Sequence, residues 1–195
     1  MREAQISRKT RETAITMRLA IAGEGAGGFF GSSGIGFFDH MLSSFAVHGG
    51  FKIEANIEGD LYVDGHHSVE DTGIVLGRLF AQILGDRSGI ARFGSAYVPM
   101  DECLAFAAVD ISGRPFLVLD AEFSAPQIGG YDTQLTKEFF RALAFNMGAT
   151  LHLRLEYGGN AHHETEALFK AAARAISAAV APTGGGVLST KGTLG

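Results

Sequence analysis

One cysteine, Cys103, stands among 195 residues, so no internal disulfide can form. That scarcity fits a reducing cytosol, and a cytoplasmic location is expected. No apolar run reaches the ~18 residues that a bilayer span needs, so no membrane partner is expected. The opening Met1-Arg2-Glu3-Ala4-Gln5 lacks the apolar core of a secretory signal. Excess positive charge is missing too. The formal net charge is −5, which argues against nucleic acid as a partner. The glycine-rich stretch 22–36, ending Gly34-Ile35-Gly36, is not followed by Gly-Lys-Ser/Thr and fits no nucleotide-binding fingerprint. A plain loop is expected there.

What is present is enough for a core, with 46% apolar and 19% charged residues. Periodicity then divides the chain. Ile15, Met17, Leu19 and Ile21 alternate with Thr16, Arg18 and Ala20, so residues 5–21 read as strands. Phe37 opens a helix that runs to about Val47 and stops at Gly49-Gly50. Residues 51–63 alternate again, with a turn at Gly59-Asp60 and a strand resuming at Leu61 and Val63. A helix over roughly 69–84 follows. In the second half, strands are expected near 96–111 and 116–123, with the turn Ser112-Gly113-Arg114-Pro115 between them. A helix from Leu135 to Phe145, a strand over 151–157 and a helix of about 20 residues to Pro182 complete the chain.

Two stretches match across that order. Asp64-Gly65-His66-His67-Ser68-Val69-Glu70-Asp71 and Asn160-Ala161-His162-His163-Glu164-Thr165-Glu166-Ala167 both carry His-His-x-x-Glu, and both open a helix. His40 precedes His66 by 26 residues, and Glu138 precedes His162 by 24. The natural architecture is an α+β fold built by internal duplication of an α/β half-domain. A pseudo-twofold axis would relate the copies, in one domain over 1–195 with halves near 1–90 and 91–195.

The clusters point to metal. At a helix start, residues i and i+4 share a face, whereas neighbours point about 100° apart. Glu70 is therefore near both His66 and His67, yet the two rings diverge, and one ion can hardly take both. The same holds for His162, His163 and Glu166. With His40 and Glu138, eight candidate ligands arise: His40, His66, His67, Glu70, Glu138, His162, His163 and Glu166. Divided between two ions they give about four each, leaving an octahedral ion about two open positions. Imidazole with carboxylate and no thiolate suits manganese, iron(II) or zinc, and the open positions favour manganese or iron.

Phe37-Phe38-Asp39-His40-Met41-Leu42, His48-Gly49-Gly50-Phe51 and residues 64–73 resemble the imidazoleglycerol-phosphate dehydratase family of histidine biosynthesis. So do Arg92-Phe93-Gly94, Pro99-Met100-Asp101-Glu102, Ser112-Gly113-Arg114-Pro115, Asn160-Ala161-His162-His163 with Glu166 to Ala171, and Ser189-Thr190-Lys191-Gly192. The resemblance covers nearly the whole chain, in order, and its length is that of the monofunctional form. It implies two similar half-domains with helices packed between two mixed sheets, a 24-mer, and active sites with two Mn2+ each (Fe2+ or Zn2+ also fit) formed between subunits. Glu12 falls where the family has a glutamate that reaches the substrate from a neighbour. Arg92, Arg114, Lys170, Ser189, Thr190 and Lys191 fall where it binds the substrate phosphate, and Asp101 matches an acid near the site. Many members have histidine at the place of Glu138 and glutamine at that of Ser44.

The implied reaction dehydrates imidazole glycerol phosphate to imidazole acetol phosphate. No carbonyl acidifies the carbon that loses its proton, so the ring must accept the charge. Two ions, one on each ring nitrogen, would stabilise an imidazolate and then a diazafulvene-like intermediate. Glu12 could serve as general base. Glu12, Asp101, His48 or a metal-bound water could protonate the departing hydroxyl, and the sequence does not rank them. A dinuclear metallohydrolase of phosphatase type and a non-catalytic metal-binding protein are the other readings of the same clusters.

Overall fold

The computed structural model describes residues 2–23, 25–190 and 192. The first half runs β1 (Arg2–Lys9), β2 (Thr13–Ile21), β3 (Gly28–Ser32), α1 (Gly36–Gly49), β4 (Phe51–Gly59) and α2 (His66–Leu84). The second runs β5 (Phe93–Met100), β6 (Cys103–Asp110), β7 (Phe116–Asp120), the short β8 (Gln127–Ile128) and β9 (Tyr131–Asp132), α3 (Leu135–Met147), β10 (Thr150–Tyr157) and α4 (Ala161–Val180).

The two four-stranded sheets have the same wiring. Their orders are β1-β2-β4-β3 and β5-β6-β10-β7. In each the first three strands pair antiparallel, and the last joins in parallel. The inward faces carry the expected alternation: Ile15, Met17, Leu19, Ile53 on one sheet and Ala105, Ala107, Leu151, Leu153 on the other are buried. The four helices fill the space between as one apolar core. The short helices end alike, at Gly50 (φ 66°) and Gly148 (φ 70°), left-handed positions that suit glycine.

The halves are interlocked. α2 lies on β1 and β2 but packs against α3 of the other half, and α4 lies on β5 and β6 but packs against α1. All four helices start at the same end. A Cβ on Gly65, at the start of α2, would meet Ile35 and Leu135, which begin α1 and α3. Phe37 of α1 meets the His162 ring of α4 at 5.0 Å. The four N-termini therefore gather their partial positive charge at one pole, which favours carboxylates there.

Four details differ from expectation. The glycine-rich stretch contains β3, a parallel edge strand on β4. Glycine hid it, and glycine permits it: a Cβ on Gly31 would lie 2.1 Å from the Ala55 carbonyl oxygen. Leu61 to Val63 form a turn, not a strand, since the Val63 amide donates to the Asp60 carbonyl at 2.8 Å. The stretch 96–111 folds as a hairpin that reverses at Asp101-Glu102. α2 starts at His66 rather than 69, which puts both histidines into its first turn.

Candidate metal centre and active site

Both histidine clusters are set by the same local device. Asp64 Oδ1 accepts the His66 amide at 2.8 Å, and Asn160 Oδ1 accepts the His162 amide at 2.9 Å. Each side chain satisfies an N–H that the helix leaves without a partner. The rings within each pair diverge as the helix geometry requires. Their planes meet at 81° with centroids 6.1 Å apart for His66 and His67, and at 78° and 6.0 Å for His162 and His163.

The first histidine of each pair turns to the glutamate of its own helix. His66 Nε2 lies 3.5 Å from Glu70, and His162 Nε2 lies 3.3 Å from Glu166. From α1, His40 brings its Nε2 to 3.2 Å from Glu166 Oε2. His40, His162 and Glu166 thus offer ligand atoms within 4.8 Å of one another. Glu166 is buried and well held. Ser44 donates to its Oε1 at 2.9 Å and Lys170 at 2.8 Å. Burial works against its charge, but those hydrogen bonds and the charges of Lys170 and His40 outweigh it, and its pKa falls to about 2. Glu138, at the matching place on α3, pairs instead with Arg141 at 3.2 Å. It belongs to no three-ligand cluster among the described residues.

The second histidines look elsewhere. His67 Nδ1 lies 3.0 and 3.1 Å from the two oxygens of Asp60, and its Nε2 is 3.8 Å from Glu12. His163 Nδ1 lies 3.3 and 3.0 Å from the oxygens of Glu102, and its Nε2 is 3.8 Å from Asp101. The hydrogen bond to Asp60 raises the His67 pKa despite some desolvation. Glu12 sits in the β1–β2 turn, where Thr10 Oγ1 accepts the amides of Glu12 at 3.1 Å and Thr13 at 3.0 Å. The buried Asp71 accepts from Arg8 and the Thr13 hydroxyl, tying this turn to α2. Sequence reasoning missed the roles of Asp60, Glu102 and Asp71. Glu102 and Asp71 carried a signal, their places in the motif Pro99-Met100-Asp101-Glu102 and in the motif over 64–73, and Asp60 carried none.

The expected phosphate-binding residues divide into two groups. Arg92 grips Asp110 through two nitrogens, at 2.7 and 3.1 Å, and also donates to the Leu188 carbonyl. Arg114, exposed, lies 3.6 Å from the same Asp110. Ser189 and Thr190 follow Leu188 directly in the chain, while Lys191 lies outside the described residues. Lys170 is apart from this group, on Glu166. His48 is in the last turn of α1 and lines a cleft of about 460 Å³ with Arg174. Desolvation and then the charges of Lys170 and Arg174 lower its pKa.

The Arg92 group stands at the opposite pole from the histidines. The Arg92 amide donates to Ala179 near the end of α4. From Glu166 to Ala179 the helix rises about 20 Å at 1.5 Å per residue. Along β5, from Phe93 to the turn that carries Asp101, the strand covers about 23 Å at 3.3 Å per residue.

The family signature described as imidazoleglycerol-phosphate dehydratase matches residues 33–176. The chain is 55% identical over 194 residues to the imidazoleglycerol-phosphate dehydratase of Methanosarcina mazei, covering 100% of both chains. It is 54% identical over 196 residues to that of Lacticaseibacillus casei, again covering 100% of both. Among solved structures, the imidazoleglycerol-phosphate dehydratase of Staphylococcus aureus aligns with a TM-score of 0.83 at 39% identity, covering 93% of this chain and 99% of that one. IGPD from Pyrococcus furiosus aligns with a TM-score of 0.83 at 35% identity, covering 97% and 100%.

Proposed function

We propose a metal-dependent mechanism and a shared site from one premise: the chain belongs to the imidazoleglycerol-phosphate dehydratase family and is a hydro-lyase of histidine biosynthesis. The observation that carries the reading is the meeting of His40, His162 and Glu166 from two halves of the chain. Two imidazoles and a carboxylate, without thiolate, fit a divalent ion such as Mn2+, with Fe2+ or Zn2+ next. The second ion falls to His66, Glu70 and Glu138, and His67 and His163 complete the two sets. When bound, the ions supply Lewis acidity at the nitrogens of the substrate ring, which lets the ring take up the charge left by the departing proton.

The chain's own residues do the rest. Glu12 is the general base. It stands on a hairpin turn fixed by Thr10 and Asp71, beside the open nitrogen of His67. Asp101 occupies the corresponding turn of the second half beside His163 and is the candidate proton donor to the leaving hydroxyl, with His48 as the other. Lys170 keeps Glu166 ionised and carries positive charge toward the phosphate. Arg92, Arg114, Ser189, Thr190 and Lys191 bind that phosphate.

Of these, Arg92 and Arg114 lie too far from the same chain's site histidines to serve them. The two poles are about 20 Å apart along α4, far more than the three carbons that separate ring and phosphate in the substrate can span. His67 and His163 also hold Nε2 at 3.8 Å from Glu12 and Asp101, and neither belongs to the cluster of His40, His162 and Glu166. Both facts support an active site assembled from several copies in a homo-oligomer, and a 24-mer is the form proposed.

Assay of purified, Mn2+-loaded protein on imidazole glycerol phosphate tests the reading. Formation of the ketone without release of inorganic phosphate is expected. Release of phosphate instead would point to a hydrolase, and no turnover at any metal loading would defeat the assignment of the site.

A further inference from the structure

We propose that Asp60 and Glu102 are positioning residues, which hold the proton on Nδ1 of His67 and His163 and so present Nε2 to a divalent ion seated on another copy of the chain. The inference rests on the metal reading above and adds to it what prepares the two outward histidines.

The five site histidines fall into two groups by which nitrogen meets a carboxylate. In His40, His66 and His162 it is Nε2, the atom that would ligate, at 3.2, 3.5 and 3.3 Å. In His67 and His163 it is Nδ1, closest at 3.0 Å in both. A neutral imidazole has one N–H and one lone pair. It ligates through the lone pair only if the proton is kept on the other nitrogen, and a carboxylate on that N–H fixes both tautomer and ring orientation. The remaining atom, Nε2, stands 3.8 Å from Glu12 in His67 and 3.8 Å from Asp101 in His163. Those separations are too long for hydrogen bonds, so each lone pair stays free.

The duplication adds an independent observation. Asp60 belongs to the loop between β4 and α2, whereas Glu102 belongs to the turn between β5 and β6. These are not matching positions of the repeat, yet both end on the same atom of matching histidines. A carboxylate placed there only as surface charge has no reason to find Nδ1 twice by different routes. Asp60 has a second grip, since its amide donates to the Glu12 carbonyl at 3.1 Å. One residue thereby sets the ring and the turn that carries the base.

The test is Mn2+ titration calorimetry on metal-stripped D60A, D60E and E102A, with H67A and H163A as references. The melting temperature of each metal-free protein is read alongside. D60A and E102A are each expected to weaken one class of Mn2+ site by about ten- to a hundredfold. The metal-free melting temperature should hold, and D60E should recover part of the loss. Saturating Mn2+ should restore turnover in both, since D60A keeps the backbone amide that anchors the Glu12 turn. If D60A melts lower, D60E is the deciding variant: affinity near that of the unaltered chain supports the proposal, and affinity as poor as in D60A overturns it. Native Mn2+ affinity in D60A and E102A, with H67A and H163A impaired, overturns the positioning role and leaves the metal centre standing. Native affinity in H67A and H163A as well overturns the metal centre itself.

Discussion

The two candidate ligand sets of one chain occupy the same frame and are built differently. Where α1 meets α4, Glu166 is buried, bonded to Ser44 and Lys170, and within reach of two histidines. Where α2 meets α3, Glu70 pairs among the described residues with His66 at 3.5 Å, and Glu138 has turned to Arg141. Counting from the matched His-His pairs and helix caps, Ser44 corresponds to Ala142 and Lys170 to Ile74. The second carboxylate therefore lacks both groups that hold the first. One set is organised by the protein alone, while the other would be gathered by its ion. The donors differ as well, with two nitrogens and one carboxylate against one nitrogen and two carboxylates.

Removing Glu166 breaks the comparison hardest. Glu166→Ala strands the ammonium of Lys170 in a mostly buried setting, and such losses cost about 3 kcal/mol. Glu138→Ala removes an exposed pair with Arg141 and should cost under about 0.5 kcal/mol. Denaturant melts of the metal-free variants read the difference, and equal losses would refute the claim that only one set is pre-built. Metal-loaded turnover should fall in both.

The helix seams differ in the same way. Gly73 and Gly77 let α2 approach α3, where a Cβ at Gly77 would stand 2.6 Å from the Leu143 carbonyl oxygen and 2.8 Å from the Asn146 Cβ. The matching residues of α4 are Phe169 and Ala173. Gly77→Ala should destabilise by about 1–3 kcal/mol despite its better helix propensity, because backbone cannot yield as a side-chain tip does. A rise in melting temperature would show that α2 and α3 can move apart freely.

Glu138→His makes the donor sets equal and gives the smallest change. Two classes of Mn2+ site should merge toward one, a shift on the order of tenfold, about 1.4 kcal/mol. Calorimetry on the metal-stripped chain resolves this, and an unaltered two-class isotherm would remove Glu138 from the second set.

Much of this was legible in the residues. The alternation of Ile15 to Ile21 and of Leu151 to Tyr157 marked strands, since a one-sided sheet must alternate. The doubled His-His-x-x-Glu marked both long helices and the divergence of their rings, since helix geometry alone sets that angle. β3 was not legible, because Gly28 to Ser32 has little side-chain pattern and owes its strand to pairing with β4. Nor were Asp60 and Glu102. Asp60 is an ordinary loop carboxylate, and Glu102 is a motif residue without a visible role, until the fold carries each to an Nδ1 atom.

The repeat, the family and the donor types of the candidate metal set could be read from the chain alone, because they follow from local spacing and side-chain chemistry, and the divergence of adjacent histidines is what motivates the proposal of two ions. Only the tertiary structure decided which ligands meet. His40 reaches Glu166 across 126 positions because α1 packs on the helix of the other half, a pairing that no local pattern encodes. The tertiary structure also set the histidines and Arg92 at opposite poles of one chain. A rigid helix fixes that separation, and the substrate is too short to bridge it.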